Sequence, residues 1–139
     1  MRTAQVCRAV TRPEHWPITW DLSAIRARIE AYARGAGLAG GRVVDLIVAV
    51  NEAVINVLEH AGGAGRVSVH HEDDLLTVDV VDYQGRLAPE RARPAPPAPD
   101  ARRGFGMWVM AQLCDGFTID TQRGRTRVRL RMSLPPTCT

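Results

Sequence analysis

The stretch NEAVINVLEH, residues 51–60, lies in an apolar run and sets Glu52, Asn56 and His60 four residues apart. In an α-helix these three side chains share one face, because each residue turns about 100° around the axis. The neighbouring positions are mostly valine, isoleucine, leucine and alanine, which is typical of a helix packed into a core. A carboxylate and an amide buried there cost several kcal/mol each unless another group satisfies them. The stretch therefore predicts a helix from about Gly41 to His60 with a polar, functional face.

The composition indicates one soluble globular domain. The chain has 139 residues, 45% hydrophobic and 24% charged, which suits a single domain over 1–139 with one core. No apolar run approaches the roughly 20 residues that a membrane helix needs. The N-terminal stretch is polar and contains Pro13, so it has no signal-peptide core. We therefore expect a cytoplasmic protein without a membrane partner.

The residue types exclude several kinds of site. Cys7, Cys114 and Cys138 are widely spaced and form no CxxC pair, which argues against a disulfide framework and a zinc site. All 18 basic residues are arginine. A Walker-type phosphate loop is excluded, because that motif requires a lysine.

The remaining periodicities predict a two-layer protein. Asp21 is the expected N-cap of a first helix that ends at Gly35 and Gly37. The other predicted elements are a first strand over Thr3–Val10, a connection over Thr11–Thr19, a hairpin of Arg66–His71 and Leu75–Asp82, a third helix over Phe105–Asp115, and a last hairpin of Phe117–Gln122 and Thr126–Met132. We expect an α/β (α+β) two-layer sandwich, with about three helices on one face of a mostly antiparallel mixed sheet of about five strands.

Residues 83–103 are rich in proline, alanine and arginine and show no apolar periodicity. A structureless segment of about 20 residues in a compact domain is usually a functional cover or a disordered insert. Arg103, Gly104 and Gly106 follow where the third helix begins, and the free N–H groups of a helix N-terminus bind anions. The pattern predicts a lid beside an anion site, with a flexible helix entry as the alternative.

The candidate polar residues each have two interpretations. Asp82 ends an apolar strand, where a buried carboxylate accepts a hydrogen bond from an exocyclic amine such as that of adenine, or it is an ordinary turn residue. Glu52 is a general base and Asn56 a magnesium ligand, or the two form a buried hydrogen-bonded pair. His60 is either functional or a helix C-cap favoured by the dipole.

The last predicted strand alternates arginine with apolar residues, so one of its faces is cationic. The arginines are Arg125, Arg127, Arg129 and Arg131. No aromatic residues interleave with them and the formal net charge is +3, which disfavours nucleic-acid binding. We expect a solvated outer sheet face or a docking surface for an acidic protein.

Together these segments resemble the GHKL (Bergerat-fold) ATPases, and within them the anti-sigma factor serine/threonine kinases of bacteria. The resemblance covers most of the chain. The family motifs correspond to Glu52, Asn56 and His60 for the N-box, Asp82 for the adenine-binding aspartate, Gly104, Phe105, Gly106 and Met107 for the second glycine box, and Gly124 and Thr126 for the late strand.

By that resemblance the chain is a histidine kinase-like ATPase domain with ATP and Mg²⁺ as cofactors and with 83–103 as the ATP lid. Glu52 is implied as the catalytic base and Asn56 as the magnesium ligand. The residues implied to bind the nucleotide are Asn56, His60, Asp82, Gly85, Arg103, Gly104, Phe105, Gly106, Met107 and Thr126. Members of this subgroup bind a sigma factor and phosphorylate a serine on an antagonist protein, commonly as homodimers, and so regulate transcription.

The first glycine box departs from the family pattern. The family usually has DxGxG, whereas Asp82 is followed by Tyr83, Gln84, Gly85 and Arg86. Two hypotheses therefore stand: an ATP-binding, magnesium-dependent protein serine kinase of the anti-sigma type, or a catalytically impaired interaction module that binds a regulator without phosphoryl transfer. ATP hydrolysis alone and nucleic-acid binding rank below both.

Overall fold

The computed structural model describes Arg8 and residues 12–60, 64–84 and 105–136. Within these ranges the elements are β1 (Glu14–Pro17), α1 (Leu22–Gly35), α2 (Gly41–His60), β2 (Gly65–Glu72), β3 (Leu75–Asp82), α3 (Phe105–Leu113), β4 (Gly116–Gln122) and β5 (Arg125–Ser133). Of the predicted lid over 83–103, only Tyr83 and Gln84 are described. Gly85, Arg103 and Gly104 lie outside the described residues, and for His60 and Phe105 only the backbone is described.

The five strands form one sheet in the order β1-β2-β3-β5-β4. Every pairing between these strands is antiparallel. In the chain, α3 lies between β3 and β4. In the sheet, β4 is an edge strand, and β5 lies between β4 and β3. The predicted fold class is confirmed, and the described sheet is wholly antiparallel rather than mixed.

The core lies between the helices and one side of the sheet, called the inner face here. Val78 and Val80 on β3 and Leu130 on β5 are 0% exposed, because alternate residues of a strand point to the same face. Leu46, Ala49, Ala53 and Val57 are the matching 0% exposed positions on α2, spaced so that they share one stripe of the helix. None of the helices in the described ranges is long and apolar enough to cross a membrane.

Both long helices begin and end near the positions predicted for them. The Asp21 carboxylate accepts a hydrogen bond from the backbone N–H of Ala24 at 3.2 Å, which satisfies one of the free donors at the start of α1. Gly37, with φ of 106°, follows the end of α1, and this backbone conformation favours glycine. The predicted α2, Gly41 to His60, matches the observed helix.

The first described strand lies where a connection was predicted, while the strand predicted over Thr3–Val10 lies outside the described residues except for Arg8. The observed β1, Glu14–Pro17, lies inside the stretch predicted as a connection, and Trp16 pairs with Val67 of β2. Pro17 makes this stretch a poor strand by composition. The strand forms nevertheless, because β1 is at the edge of the sheet. An N–H that would point away from β2 has no strand to bond to there, so a proline at that position loses no hydrogen bond of the sheet.

Two arginines tie distant parts of the fold together. Arg42 at the start of α2 donates to the carbonyl oxygen of Leu113 at 3.0 Å and pairs with Asp115 at 2.9 Å, which fastens the end of α3 to α2. Arg8 donates to the carbonyl oxygens of Ala36 and Pro135, both at 2.9 Å, and its side chain is only 7% exposed.

Candidate functional site

Asp82 and Thr126 are direct neighbours across the β3–β5 pairing. Both are 0% exposed. Asp82 is two residues from Val80 on β3, and Thr126 is two residues from Val128 on β5. Both valines are core residues, and alternate residues of a strand point to the same face, so Asp82 and Thr126 lie on the inner face. The structure therefore brings together two predicted adenine-binding residues that are far apart in the sequence.

On its other side Asp82 faces β2 at Gly65. A Cβ atom at Gly65 would lie 2.2 Å from the carbonyl oxygen of Val81 and 2.8 Å from Cδ1 of Ile18. Real Cβ atoms do not approach backbone oxygens so closely, so this position requires glycine. No side chain of β2 therefore stands directly beside the Asp82 carboxylate.

Thr121 was missed by sequence reasoning and belongs to this end of the sheet. Its Oγ1 is 3.2 Å from Oγ1 of Thr126, because the two residues are paired across the β4–β5 hairpin. Arg123 and Gly124 form the turn with φ of 54° and 76°, as a tight two-residue hairpin turn requires. If those two residues are taken as the turn, the register of the β4–β5 hairpin follows. That register identifies Thr121 as the partner of Thr126.

The Asp82 carboxylate also fixes the first residues after β3. Its Oδ1 accepts a hydrogen bond from the backbone N–H of Gln84 at 2.8 Å, which is a typical Asp-stabilised turn. A carboxylate can accept about four hydrogen bonds in all. Tyr83 is 39% exposed, and the Arg125 guanidinium lies 4.8 Å from its ring centroid. Its side chain thus pairs with an arginine on the side of the sheet away from the helices.

Glu52 and Asn56 are half-buried on α2, in the middle of a helix whose neighbouring residues Ala53 and Val57 are 0% exposed. The helix packs against β3, β5 and α3. These two polar side chains therefore lie on the element that covers the strands carrying Asp82 and Thr126. His60 is the last residue of α2.

The second glycine box lies at the beginning of α3. Phe105 is the first residue of this helix and Gly106 the second, so their backbone N–H groups are among those left free in the first turn. Met107 is 7% exposed and Met110 is 0% exposed, and α3 packs against α2. The helix start is thus adjacent in sequence to the predicted lid and is carried on the same layer as Glu52 and Asn56.

Cys114, at the end of α3, is buried and is not part of this arrangement. Burial raises the pKa of its thiol to about 12, because the charged thiolate is disfavoured away from water. A thiol that stays protonated at neutral pH is a poor nucleophile and a poor metal ligand. Cys114 is therefore a packing residue of the core.

Comparison with known proteins identifies the family. Residues 19–132 match the model of the histidine kinase-like ATPase domain. The fold is similar to that in the crystal structure of the RsbU and RsbW domains of Rv1364c from Mycobacterium tuberculosis, with a TM-score of 0.67 and 20% identity over 95% of this chain. That match spans only 36% of the other protein's chain.

A second similar structure is the SiaB-SiaC complex from Pseudomonas aeruginosa, with a TM-score of 0.63 and 14% identity over 90% of both chains. At these identities the likeness concerns the fold alone. No curated protein matches the sequence. Because the family model covers most of the sequence, this chain belongs to the histidine kinase-like ATPase domain family.

Proposed function

We propose that this protein is an ATP-binding, magnesium-dependent protein serine kinase of the anti-sigma type, formed by one domain over 1–139. One observation carries the proposal: in a chain of this family, Asp82 and Thr126 are buried side by side at one end of the inner face. A buried carboxylate beside a buried hydroxyl is suited to a ligand edge that carries both a donor and an acceptor.

The adenine end of the nucleotide would be held by β3 and β5. The Asp82 carboxylate would accept a hydrogen bond from the exocyclic amine, because a carboxylate oxygen is an acceptor that suits an amine donor. The Thr126 hydroxyl lies 3.2 Å from that of Thr121. It would form a hydrogen bond with the neighbouring nitrogen of the adenine ring, directly or through water. Gly65 supports this role because no side chain there competes for the carboxylate.

The phosphate end would be held by α2 and the start of α3. An amide oxygen such as that of Asn56 is a ligand type that Mg²⁺ accepts, and Mg²⁺ commonly takes one or two protein ligands together with substrate phosphates and water. A single amide on α2 therefore fits the ion. The free N–H groups at the start of α3 suit the phosphates. The other residues proposed to bind the nucleotide are His60, Gly85, Arg103, Gly104, Phe105, Gly106 and Met107.

Glu52 is proposed as the catalytic base. The serine hydroxyl oxygen of an antagonist protein would attack the γ-phosphorus, the bond from that phosphorus to the β,γ-bridging oxygen would break, and ADP would leave. Glu52 would take the hydroxyl proton. It is one helical turn from Asn56 on the same face of α2, so base and metal ligand are carried by one rigid element.

Protein partners are part of the proposal. One of the two similar structures is a complex of SiaB with SiaC, and the other contains RsbU and RsbW domains in one protein. The complex supports a protein partner for this fold, and the resemblance to the anti-sigma kinases implies a sigma factor, a serine-containing antagonist and homodimer formation here. Transcription would be regulated by sequestering one partner and phosphorylating the other.

Calorimetric titration with ATP, with and without magnesium, tests the metal-binding role. Asn56→Ala should lose the magnesium-dependent part of the affinity. Asn51→Ala is the matched control: it is the same substitution on the same helix, about 140° away around the axis, and its Oδ1 has no partner among the described residues. ATP binding by Asn56→Ala that still responds to magnesium would refute the role.

A phosphotransfer assay tests the chemistry separately. The protein is incubated with labelled ATP, magnesium and the candidate antagonist proteins encoded nearby, and labelled serine is identified by mass spectrometry. Glu52→Gln keeps the shape of the side chain and removes its basicity, so it should bind ATP normally and transfer no label. Undiminished transfer by Glu52→Gln would exclude Glu52 as the base.

A second candidate function is a noncatalytic interaction module. It is favoured by the first glycine box, where Gln84 and Arg86 replace the expected glycines and the Gln84 N–H is already bonded to Asp82. Titration with ATP and with ADP separates the two functions. A protein that binds neither nucleotide but still binds its regulator is the module and not the kinase.

A further inference from the structure

The side of the sheet turned away from the helices, called the outer face here, is strongly charged. The register puts five arginines there, on β2 and β5, against three carboxylates. The arginines are Arg66, Arg125, Arg127, Arg129 and Arg131, and the carboxylates are Glu72, Asp79 and Asp120. The outer face thus carries excess positive charge, although the whole chain has a formal net charge of only +3.

Two of these arginines are held in place by carboxylates of neighbouring strands. Arg129 donates to both oxygens of Asp79 at 2.8 and 2.9 Å, and Arg127 pairs with Asp120 at 2.7 Å. Such pairs orient a guanidinium. Arg66, Arg125 and Arg131 have no carboxylate partner among the described residues, so the excess charge belongs to them.

Arg66 and Arg127 flank Val81 in one row across three strands. Two strand spacings separate their backbones by about 10 Å. The Nε atom of each is buried and has no hydrogen-bond acceptor among the described residues. Because these Nε atoms are covered, carboxylates from outside the chain would bond to the terminal nitrogens of the two guanidinium groups.

An open concavity of about 700 Å³ lies over the Val81 and Arg127 part of this row. Its walls are Val81, Asp120, Gln122, Arg123, Arg125 and Arg127. A second concavity of about 300 Å³ lies farther along the same face, where Arg129 and Arg131 are balanced by Glu72 and Asp73. The recessed cationic surface is therefore the part lined by Arg123, Arg125 and Arg127.

We propose that the outer face binds an acidic segment of a protein partner, whose carboxylates pair with Arg66, Arg125 and Arg127. Asp82 and Thr126 lie on the inner face, so such a segment and a nucleotide would occupy opposite sides of the sheet. The interaction needs no nucleotide, and it stands independently of the kinase proposal.

The charge pattern favours this occupant over two others. A second copy docked by two-fold symmetry would set the arginines of one chain against the same arginines of the other. A nucleic acid would meet Asp79 and Asp120 between the arginines. Arg125 also lies over the Tyr83 ring, so that ring is less accessible for base stacking.

Fluorescence anisotropy with a labelled oligoglutamate peptide, in the absence of nucleotide, tests the proposal. The double variant Arg66→Gln, Arg125→Gln should bind the peptide about tenfold more weakly. The matched control is Arg26→Gln, Arg34→Gln, which removes the same charge from exposed positions on α1 and should bind like the unaltered protein. Circular dichroism verifies that both variants are folded. An oligoglutamine peptide of equal length should not bind.

Three results would overturn the proposal: no binding of oligoglutamate, equal weakening by both double variants, or tighter binding of a single-stranded oligonucleotide of equal charge. Equal weakening would mean that net charge alone attracts the peptide. Because nucleotide is absent, failure of this experiment leaves the kinase proposal untouched, and failure to bind ATP leaves this one untouched.

Discussion

The two faces of the sheet are built by the same strands and differ in almost every property. On the inner face, β3 and β5 present 0% exposed valine, leucine and methionine, with Asp82 and Thr126 at one end. On the outer face the alternating positions of β5 are all arginine down to Ser133, and those of β3 include Asp79. Neighbouring residues of one strand therefore serve different purposes: one set stabilises the fold and holds the candidate nucleotide site, and the other is available for recognition.

The largest expected effect is on stability, and it comes from shortening a core side chain of the inner face. Leu130→Ala should lower the free energy of unfolding by about 2–5 kcal/mol, because it removes buried methyl groups and leaves a cavity. Arg131→Ala, the next residue on the outer face, should change it by less than about 0.5 kcal/mol. Urea unfolding followed by circular dichroism measures both. Similar losses for the two variants would mean that the faces are not divided in this way.

The next effect concerns nucleotide affinity. Asp82→Asn should weaken ATP binding by about 1.5–3 kcal/mol, or roughly tenfold to hundredfold, since an amide replaces the charged acceptor while its oxygen still accepts from Gln84. Asp79→Asn is the control on the outer face of the same strand and should leave ATP affinity unchanged. Calorimetric titration decides. An equal loss in both variants would point to damage of the strand rather than to a nucleotide contact.

A smaller effect is expected for the ion pair of the outer face. Asp79 raises the pKa of Arg129, mainly through their hydrogen bonds. The two side chains are 12% and 23% exposed, so Asp79→Ala should cost about 1–2 kcal/mol of unfolding free energy. In a double-mutant cycle, Asp79→Ala should cost little once Arg129 is also alanine. Strictly additive losses would show that the pair contributes no coupling energy.

The smallest effect is the pH dependence of stability that comes from Asp115. The pKa of Asp115 is lowered, first by the backbone N–H of Ser133 and also by Arg42. A carboxyl group with a lowered folded pKa stabilises the protein fully above its ordinary pKa, and this contribution disappears as the pH falls through the folded value. The side chain is 45% exposed, so solvent screening keeps the contribution below about 1 kcal/mol.

Asp115→Asn should therefore be slightly less stable than the unaltered protein at neutral pH and equally stable once the pH is below the lowered pKa of Asp115. Urea midpoints measured at both pH values give the difference. A stability gap that persists unchanged in acid would mean that the carboxylate charge is not its cause.

The elements that the sequence predicts well are those with strong local periodicity. Gly41–His60 carries buried residues at helical spacing along its whole length, and the observed α2 has the predicted bounds. The alternation in β5 likewise predicted one apolar and one cationic face, which the burial pattern confirms. In both cases the burial of each side chain follows from its place in the repeat.

What could not be predicted depends on partners brought from elsewhere in the chain. Glu14–Pro17 forms a strand because the edge of β2 accepts it, although Pro17 argues against a strand locally. The pair between Asp79 and Arg129 requires knowing that β5 enters the sheet beside β3. For the site, motif spacing named Asp82 and Thr126, and only that same strand order makes them neighbours. The roles of Glu52 and Asn56 stay predictions.

The contacts of Arg8 have a practical consequence for engineering. By bonding to Pro135, and to Asp74 at 3.1 Å, this residue holds the last described stretch of the chain beside the β2–β3 turn. Asp82 lies at the other end of β3, about 24 Å away along the strand. A reporter protein or affinity tag joined after Pro136 would therefore begin far from the candidate pocket, which makes that junction the preferred attachment point for titrations with labelled protein.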